Sequence, residues 1–439
     1  MYALSLPSQK ALITFSSDSL FPISEVTSIV RDKFLPFSPP LIGEDEINEV
    51  VDTLRSDWIT TGPKVKRFEQ DFAQFVQAPD ALAVSSGTAA LHLSLLALGI
   101  GAGDAVITSP LTFCSAVHVI EHVGATPILC DVEPDTLNLN PDGIRQQIER
   151  TERDLGLRVK AILPVHLYGH PCDRNAILKI AAEYHLAVIE DAAHSLPAAY
   201  KGRPIGSLSA TDSVPVLTCF SFYATKNLTT AEGGMLVGHK ALLDQARRWS
   251  LHGMNRDAWK RYGSEGSWFY DVDCPGYKYN MTDIQAALGL HQLKKLPQFH
   301  ARRCAIVKRY QAAFESREEF EAPTQRRDVQ HGWHLYVLRL NLDRSGITRD
   351  QFIAKMRDRN IGCSVHFIPI HLLRYYREKY GYTPEQFPIA LREFQRMASL
   401  PLSARMTDQD VEDVIQAATS ILDENLPVRS ERPVDVVSV

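Results

Sequence analysis

The stretch Cys219-Phe-Ser-Phe-Tyr-Ala-Thr-Lys226-Asn-Leu-Thr-Thr-Ala-Glu-Gly-Gly234 sets one lysine between an aromatic, apolar run and a glycine pair. An amine taken out of water gives up its proton more readily and becomes a nucleophile toward a carbonyl. Most lysines are solvated surface groups, but the apolar approach and the paired glycines weigh against that reading of Lys226. Val188-Ile-Glu-Asp-Ala-Ala-His194 ends a β-rich run with two carboxyls. At the C-terminal end of a strand in an open α/β sheet, Asp191 would face the crevice where such sheets bind ligands. A carboxylate there can keep a ring nitrogen protonated by opposite charge at short range; capping the next helix is the plainer use. Ser85-Ser-Gly-Thr-Ala-Ala-Leu91 joins a strand to a helix with small residues. Its N–H groups and the positive helix end suit a phosphate, while Ser85 or Ser86 as an ordinary N-cap explains the same residues at least as well.

Two other patterns lead nowhere. Gly99-Ile-Gly-Ala-Gly103 resembles a dinucleotide loop but follows a helix, where the motif requires a strand. His166, His170 and Cys172 crowd one short loop, yet no second cluster joins them, so no metal site is expected.

The elements that must position these groups alternate. Helical periodicity marks residues 45–54 and 64–76. Strands are expected at 81–84, 105–108, 127–131, 160–165 and 186–189, with helices at 88–98, 113–123, 144–149 and 175–184 between them. Strands apolar on both faces and separated by helices imply βαβ crossovers and a mostly parallel sheet between helix layers. The composition shifts after about Leu296 toward a smaller α+β unit. There a helix over 301–314, a strand over 334–340, a helix over 348–359, a strand over 362–367 and a last helix over 408–422 are expected. The expected organisation is an extension (1–36), a large ligand-binding domain (37–296), a small C-terminal domain (297–425) and a loose tail (426–439).

Charge narrows the partners. Lys plus Arg number 47 against 52 Asp plus Glu, a net charge of −5 with no basic stripe, which speaks against nucleic acid. Seven scattered cysteines suit free thiols in a reducing compartment. No apolar run reaches the roughly 18 residues of a membrane span, and the opening residues lack a basic start, so a cytoplasmic protein is expected.

Taken together, the phosphate-type loop, strand-end aspartate and following lysine resemble a fold-type I pyridoxal-phosphate enzyme. From about Pro36 to Leu422 the chain resembles the DegT–DnrJ–StrS family of nucleotide-sugar aminotransferases. The resemblance rests on Thr60–Pro63, Ser85–Leu91, Pro164–His170, Glu190–His194, Ser221–Gly234, Pro275–Asn280 and Ser399–Leu402. It implies pyridoxal 5′-phosphate as cofactor, an internal aldimine on Lys226, and Asp191 at the pyridinium nitrogen. His194 would lie near the phenolic oxygen and Phe113 on the pyridine face, with Gly87, Thr88 and Ser221 at the phosphate. Asn280 would reach the phosphate of a neighbouring subunit, which implies a homodimer. His366 and His371 fall in a stretch that resembles the substrate side of enzymes acting on 4-keto sugars. The implied reaction moves an amino group from an amino acid, glutamate foremost, to a keto-sugar nucleotide. Some relatives carry histidine at the lysine position and act as dehydratases, a branch that Lys226 argues against. A catalytically silent regulator of the same fold, or an enzyme on another keto substrate, stays open. The stretch from Gly206 to Phe220 looks longer than the family pattern, with Ser213-Val-Pro-Val216 inserted.

Overall fold

Runs such as Asp104–Thr108 and Ala187–Asp191 are buried at every residue, as strands covered on both faces must be. In the computed structural model, which describes residues 30–208, 213–254 and 270–425, they lie in a sheet walled by helices. In chain order the large unit runs α1 (Glu44–Arg55), α2 (Pro63–Val76), β1 (Asp80–Val84), α3 (Gly87–Ala97), β2 (Asp104–Thr108), α4 (Ser115–His122), β3 (Thr126–Leu129), α5 (Pro141–Leu155) and β4 (Arg158–Leu163). It continues with α6 (Arg174–Glu183), β5 (Ala187–Asp191), a short hairpin of β6 (Ala199–Tyr200) and β7 (Arg203–Pro204), then β8 (Val216–Ser221), β9 (Gly234–Gly238) and α7 (Lys240–Ser250). Among the described residues the main sheet has the order β1-β9-β8-β5-β4-β2-β3. Neighbours pair in parallel except around β9, which runs antiparallel to both β1 and β8. The mostly parallel α/β sheet expected from the strand–helix alternation is present.

Helix starts follow the local chemistry. Pro63 opens α2 at a position where a missing N–H costs nothing. Ser86 caps α3, its Oγ accepting from Ala89 N–H at 3.0 Å. Thr282 and Gln285 form a reciprocal capping box at the start of α8 (Asp283–Phe314). That helix runs unbroken through Pro297 and through the expected domain boundary at 296/297. Leu293 and Leu296 before the proline and Phe299 and Ile306 after it are buried, so packing on both sides holds the helix where the proline removes one hydrogen bond.

The smaller unit follows with β10 (Phe320–Glu321), β11 (Val329–Gln330), β12 (Tyr336–Leu340), α9 (Arg349–Asp358), α10 (Arg374–Tyr380), α11 (Pro388–Arg396), β13 (Met397–Leu400) and α12 (Asp408–Asp423). β10, β12 and β13 form an antiparallel sheet, while β11 joins the β6–β7 hairpin. Leu338, Phe352, Met356, Val414 and Ile421 share the core beneath it.

Residues 362–367 do not form the expected strand. Among the described residues a single backbone bridge, Ser364 to Ser399, pairs them with β13. Beyond it the Tyr168 hydroxyl donates to the His366 carbonyl, so that carbonyl bonds a side chain from the large unit in place of a strand neighbour.

The described end of the N-terminal extension is strapped down. Arg31 pairs with Asp410 at 2.6 Å and with Asp413, both on α12. Leu35 N–H donates to Asn360 O at 2.8 Å, and its carbonyl accepts from Gly362 N–H at 3.0 Å. Residues 1–29 and the expected loose tail lie outside the described residues.

Ala231 sits at φ +65° in the β8–β9 loop, where a Cβ costs about 1–2 kcal/mol. Ala231→Gly relieves that strain but frees the unfolded chain by about 0.4–1 kcal/mol. The expected net is a gain of about 0.5 kcal/mol, read from urea unfolding; a loss would show that the methyl is needed for packing.

Candidate active site

Consecutive residues on a strand point to opposite faces, and the end of β5 uses both. Glu190 is buried against Arg174 of α6, with which it forms an ion pair, and it accepts from Thr218 Oγ1 at 2.7 Å. Burial works to push its carboxyl up, but the Arg174 guanidinium and His166 outweigh it and hold it well below the ordinary range. Arg174→Leu therefore strands a buried carboxylate and should cost about 3–5 kcal/mol. A group depressed in the fold stabilises above its unfolded pKa and loses that contribution as pH falls through the folded value. The penalty should accordingly be full near neutrality and shrink in acid, as urea titrations at several pH values would read.

Asp191 points the other way, into a cavity of about 480 Å³. The ends of β5 and β8, the start of α3 and the loop 222–233 meet there. Asp191 is buried and its Oδ1 accepts from Ala193 N–H at 3.0 Å. Burial raises its pKa, against the pull of that bond and of Lys226.

Lys226 stands on a tight loop. Its N–H donates to Tyr223 O at 2.9 Å, while Phe222 N–H reaches Gly233 O at 2.9 Å and Thr230 N–H reaches Phe222 O at 3.0 Å. The loop thus closes on itself and delivers the amine into the cavity. Burial brings the amine down to about 8, against the opposing charge of Asp191. The neutral fraction near neutral pH is therefore much larger than for a solvated lysine, which favours attack on a carbonyl.

Ser86, Gly87 and Thr88 at the start of α3 line the same cavity opposite Ser221. The first N–H groups of a helix have no partner within it and seat anions. The backbones here are in close contact: a Cβ on Gly87 would fall 2.8 Å from Ser221 Cβ, and one on Gly234 would fall 2.5 Å from the Ser86 carbonyl carbon. Gly87→Val should push Ser221 out of place and weaken retention of a phosphate-bearing ligand at least tenfold by equilibrium dialysis, about 1.4 kcal/mol. Unchanged retention would remove this seat from the account.

Phe113 lies at the mouth, more than half exposed, with its ring 5.8 Å from Phe367. His194 is buried, and its Nδ1 accepts from Tyr168 N–H at 3.2 Å. His366 lines the opposite side, with Nδ1 2.8 Å from Ser399 Oγ and its ring stacked 5.1 Å from Phe37. Burial, helped by the charge of Lys226, lowers His366 to about 4.

Two of the residues singled out in the sequence do not line this cavity. His371 is fully buried against the Phe387 ring at 4.9 Å, away from the lining. It follows a bend at Pro369 and Ile370, whose N–H bonds Pro110 O at 2.8 Å, so the two histidines of one motif diverge. Asn280 instead lines a separate groove beside Trp58 and Arg247, donating to Thr61 Oγ1 at 2.7 Å and accepting from Lys278 at 2.6 Å. Cys172 N–H donates to His166 Nδ1 at 3.0 Å, and His170 lies 2.8 Å from Pro171 O, so these loop side chains are engaged locally.

Phe37, Glu232, His334 and Phe367 also line the cavity, and sequence reasoning missed them. Phe37 falls at the first position of the expected large domain, before any periodic element marks it. His334 precedes an apolar run, where a lone histidine reads as core.

Comparison with known proteins agrees with this geometry. Residues 40–419 match the model of the DegT/DnrJ/EryC1/StrS aminotransferase family. The spore coat polysaccharide biosynthesis protein SpsC of Bacillus subtilis (strain 168) is 50% identical over 394 residues, covering 89% of this chain and 98% of its own. An uncharacterized protein of Methanocaldococcus jannaschii, MJ1066, is 49% identical over 90% of this chain and all of its own. Among solved structures, Streptococcus pneumoniae Spr1654, described as a sugar aminotransferase, is similar in its PMP form with a TM-score of 0.81 and 36% identity. That match covers 89% of this chain and all of the other. Its PLP form gives 0.80 and 35%, over 90% and all of the two chains.

The residues fit the cofactor. The cavity offers an anion seat with no room for a Cβ at Gly87, a buried carboxylate with one backbone donor, and a half-buried amine whose proton is held less tightly than usual. These match a phosphate, a ring nitrogen and an aldehyde. No helix among the described residues is long and apolar enough to cross a membrane. The chain belongs to the DegT/DnrJ/EryC1/StrS aminotransferase family, and it is a pyridoxal-phosphate-dependent aminotransferase.

Proposed function

We propose that this chain transfers an amino group from an amino acid, glutamate foremost, to a keto-sugar nucleotide, specifically a 4-keto sugar, in amino-sugar or cell-surface polysaccharide biosynthesis. The observation that carries the reading is the half-buried Lys226 amine, lowered to about 8 by desolvation and held in one cavity with Asp191 and the α3 anion seat. The similarity to a polysaccharide biosynthesis protein and to a sugar aminotransferase supports the substrate class.

Bound pyridoxal phosphate supplies an electron sink and carries the amino group between the two substrates. The chain's residues do the rest. Gly87, Thr88 and Ser221 hold the phosphate. Asp191 holds the proton on the ring nitrogen, its buried negative charge favouring the cationic form. Phe113 would cover a ring face at the mouth, and His194 would lie beside the phenolic oxygen. The Lys226 amine would take a proton from the donor's α-carbon and return it to the cofactor's C4′ carbon, two atoms along, as general base and then acid. His366, backed by Phe37 and Ser399, faces the sugar. A homodimer in the cytoplasm, with Asn280 completing the phosphate seat of a second copy, belongs to the same reading. The two half-reactions alternate in one cavity, so ping-pong kinetics are expected.

The test is colour. The purified protein should be yellow, glutamate should bleach it, and a 4-keto-sugar nucleotide should restore the colour with mass gain on the sugar. Bleaching by glutamate with restoration only by other keto compounds would overturn the sugar assignment. No bleaching by any amino acid would favour a silent cofactor-binding regulator.

A further inference from the structure

His194, His334 and His366 come from three separated parts of the chain to one cavity, and the bonds around two of them fix where the ring proton sits. A backbone N–H must point at a bare ring nitrogen. Tyr168 N–H donates to His194 Nδ1 at 3.2 Å, so the proton of the neutral His194 ring is on Nε2. Asn227 settles His334. Its amide nitrogen donates to Leu196 O and Gly332 O, both at 2.7 Å. Flipping the amide would aim its oxygen at two carbonyls, so the orientation is fixed and Oδ1 is the acceptor. His334 Nδ1 lies 3.3 Å from that oxygen. His334 therefore carries its proton on Nδ1 and leaves Nε2 bare.

The two rings lie 4.4 Å apart at 38°, with opposite tautomers. The chain beneath His334 is pinned: Arg303, itself buried, donates from Nη1 to the carbonyls of Trp333 and His334, each at 3.2 Å, and to Leu402 O at 2.9 Å. Phe367 stacks with the His194 ring at 5.8 Å and 19°. Burial, together with the nearby Lys226 charge, keeps both imidazoles well below the usual histidine range. A second cation in this packed cluster would face Lys226 and Arg303.

We infer that Asn227 and His334 are positioning residues for His194, holding its ring so that Nε2–H is presented as a donor to the oxygen edge of the bound cofactor. This rests on the reading that places His194 beside the phenolic oxygen. Neither residue need touch the substrate. They act through the ring they fix, and in sequence the pair is simply the residue after the lysine and a histidine two residues before a strand.

Neutron diffraction from crystals of the deuterated, cofactor-loaded protein tests the assignment without any variant. It should show deuterium on Nε2 of His194 and on Nδ1 of His334. Deuterium on His194 Nδ1, or on His334 Nε2 alone, would overturn the inference. A spectroscopic cycle tests the coupling. An oxygen that loses its donor shares its proton more tightly, so His194→Phe should move the pH midpoint of the cofactor's visible band up by about one unit. His334→Phe keeps a ring but loses the bond to Asn227, and should give about half that shift. The double variant should shift no further than His194→Phe alone. A band moved by His194→Phe with fully additive shifts in the double variant would overturn the positioning role while leaving the placement of His194 intact. A band unmoved by His194→Phe would overturn that placement itself.

Discussion

Lys226→Ala should lower kcat/KM by about 10⁴-fold, because one substitution removes both the carbonyl nucleophile and the group that moves the proton. The proposed phosphate seat at Gly87, Thr88 and Ser221 is untouched, so the variant should still retain cofactor on dialysis, with an altered visible band. That combination separates a lost amine from a lost fold. The setting of Lys226 makes the prediction specific: a half-buried lysine, its amine brought to about 8 by desolvation, sits where, among the described residues, no other lysine lines the cavity. A small added amine such as methylamine should recover part of the rate in the alanine variant alone. Turnover equal to that of the unmodified protein would remove Lys226 from the chemistry.

Asp191→Asn is expected to cost about 10²–10³-fold in kcat/KM. Truncating one partner of a buried charge pair costs about 2–5 kcal/mol, and each 1.4 kcal/mol is tenfold. The amide keeps the shape and the approach of Ala193 N–H, but it offers no charge to hold a proton on the ring. Cofactor affinity should fall as well. Asp191→Glu keeps the charge and misplaces it, so it should fall between the two. Single-turnover rates with glutamate isolate the step; an unchanged rate in Asp191→Asn would show that the ring needs no charge partner here.

Much of this was legible in the residues because the large unit is built from short-range signals. Buried strands such as Ala187–Asp191 read as apolar runs, and their order with the helices implied the parallel sheet. Asp191 and Lys226 were visible because each is an ionisable group closing an apolar segment, a pattern with a chemical reason. Long-range placement was not legible. Residues 362–367 have strand composition, yet a tyrosine from the large unit holds their carbonyl, and only the fold brings Tyr168 to His366. His371 shares a motif with His366 but turns into the core at Pro369. Phe37 lies at the end of a segment with no sequence period and reaches the cavity because Arg31 and Leu35 anchor it to the small unit. The helix Asp283–Phe314 crosses the compositional shift because buried side chains on both sides of Pro297 outweigh the lost bond. His334 carries no local signal; its tautomer is set by a side chain over a hundred positions away.

Borohydride reduction of the yellow protein, followed by peptide mapping, bears on the central claim most directly. The account predicts a phosphopyridoxyl mass fixed on the peptide containing residue 226 and on no other. A mass fixed on a different lysine, or a colour lost with no labelled peptide, would contradict it.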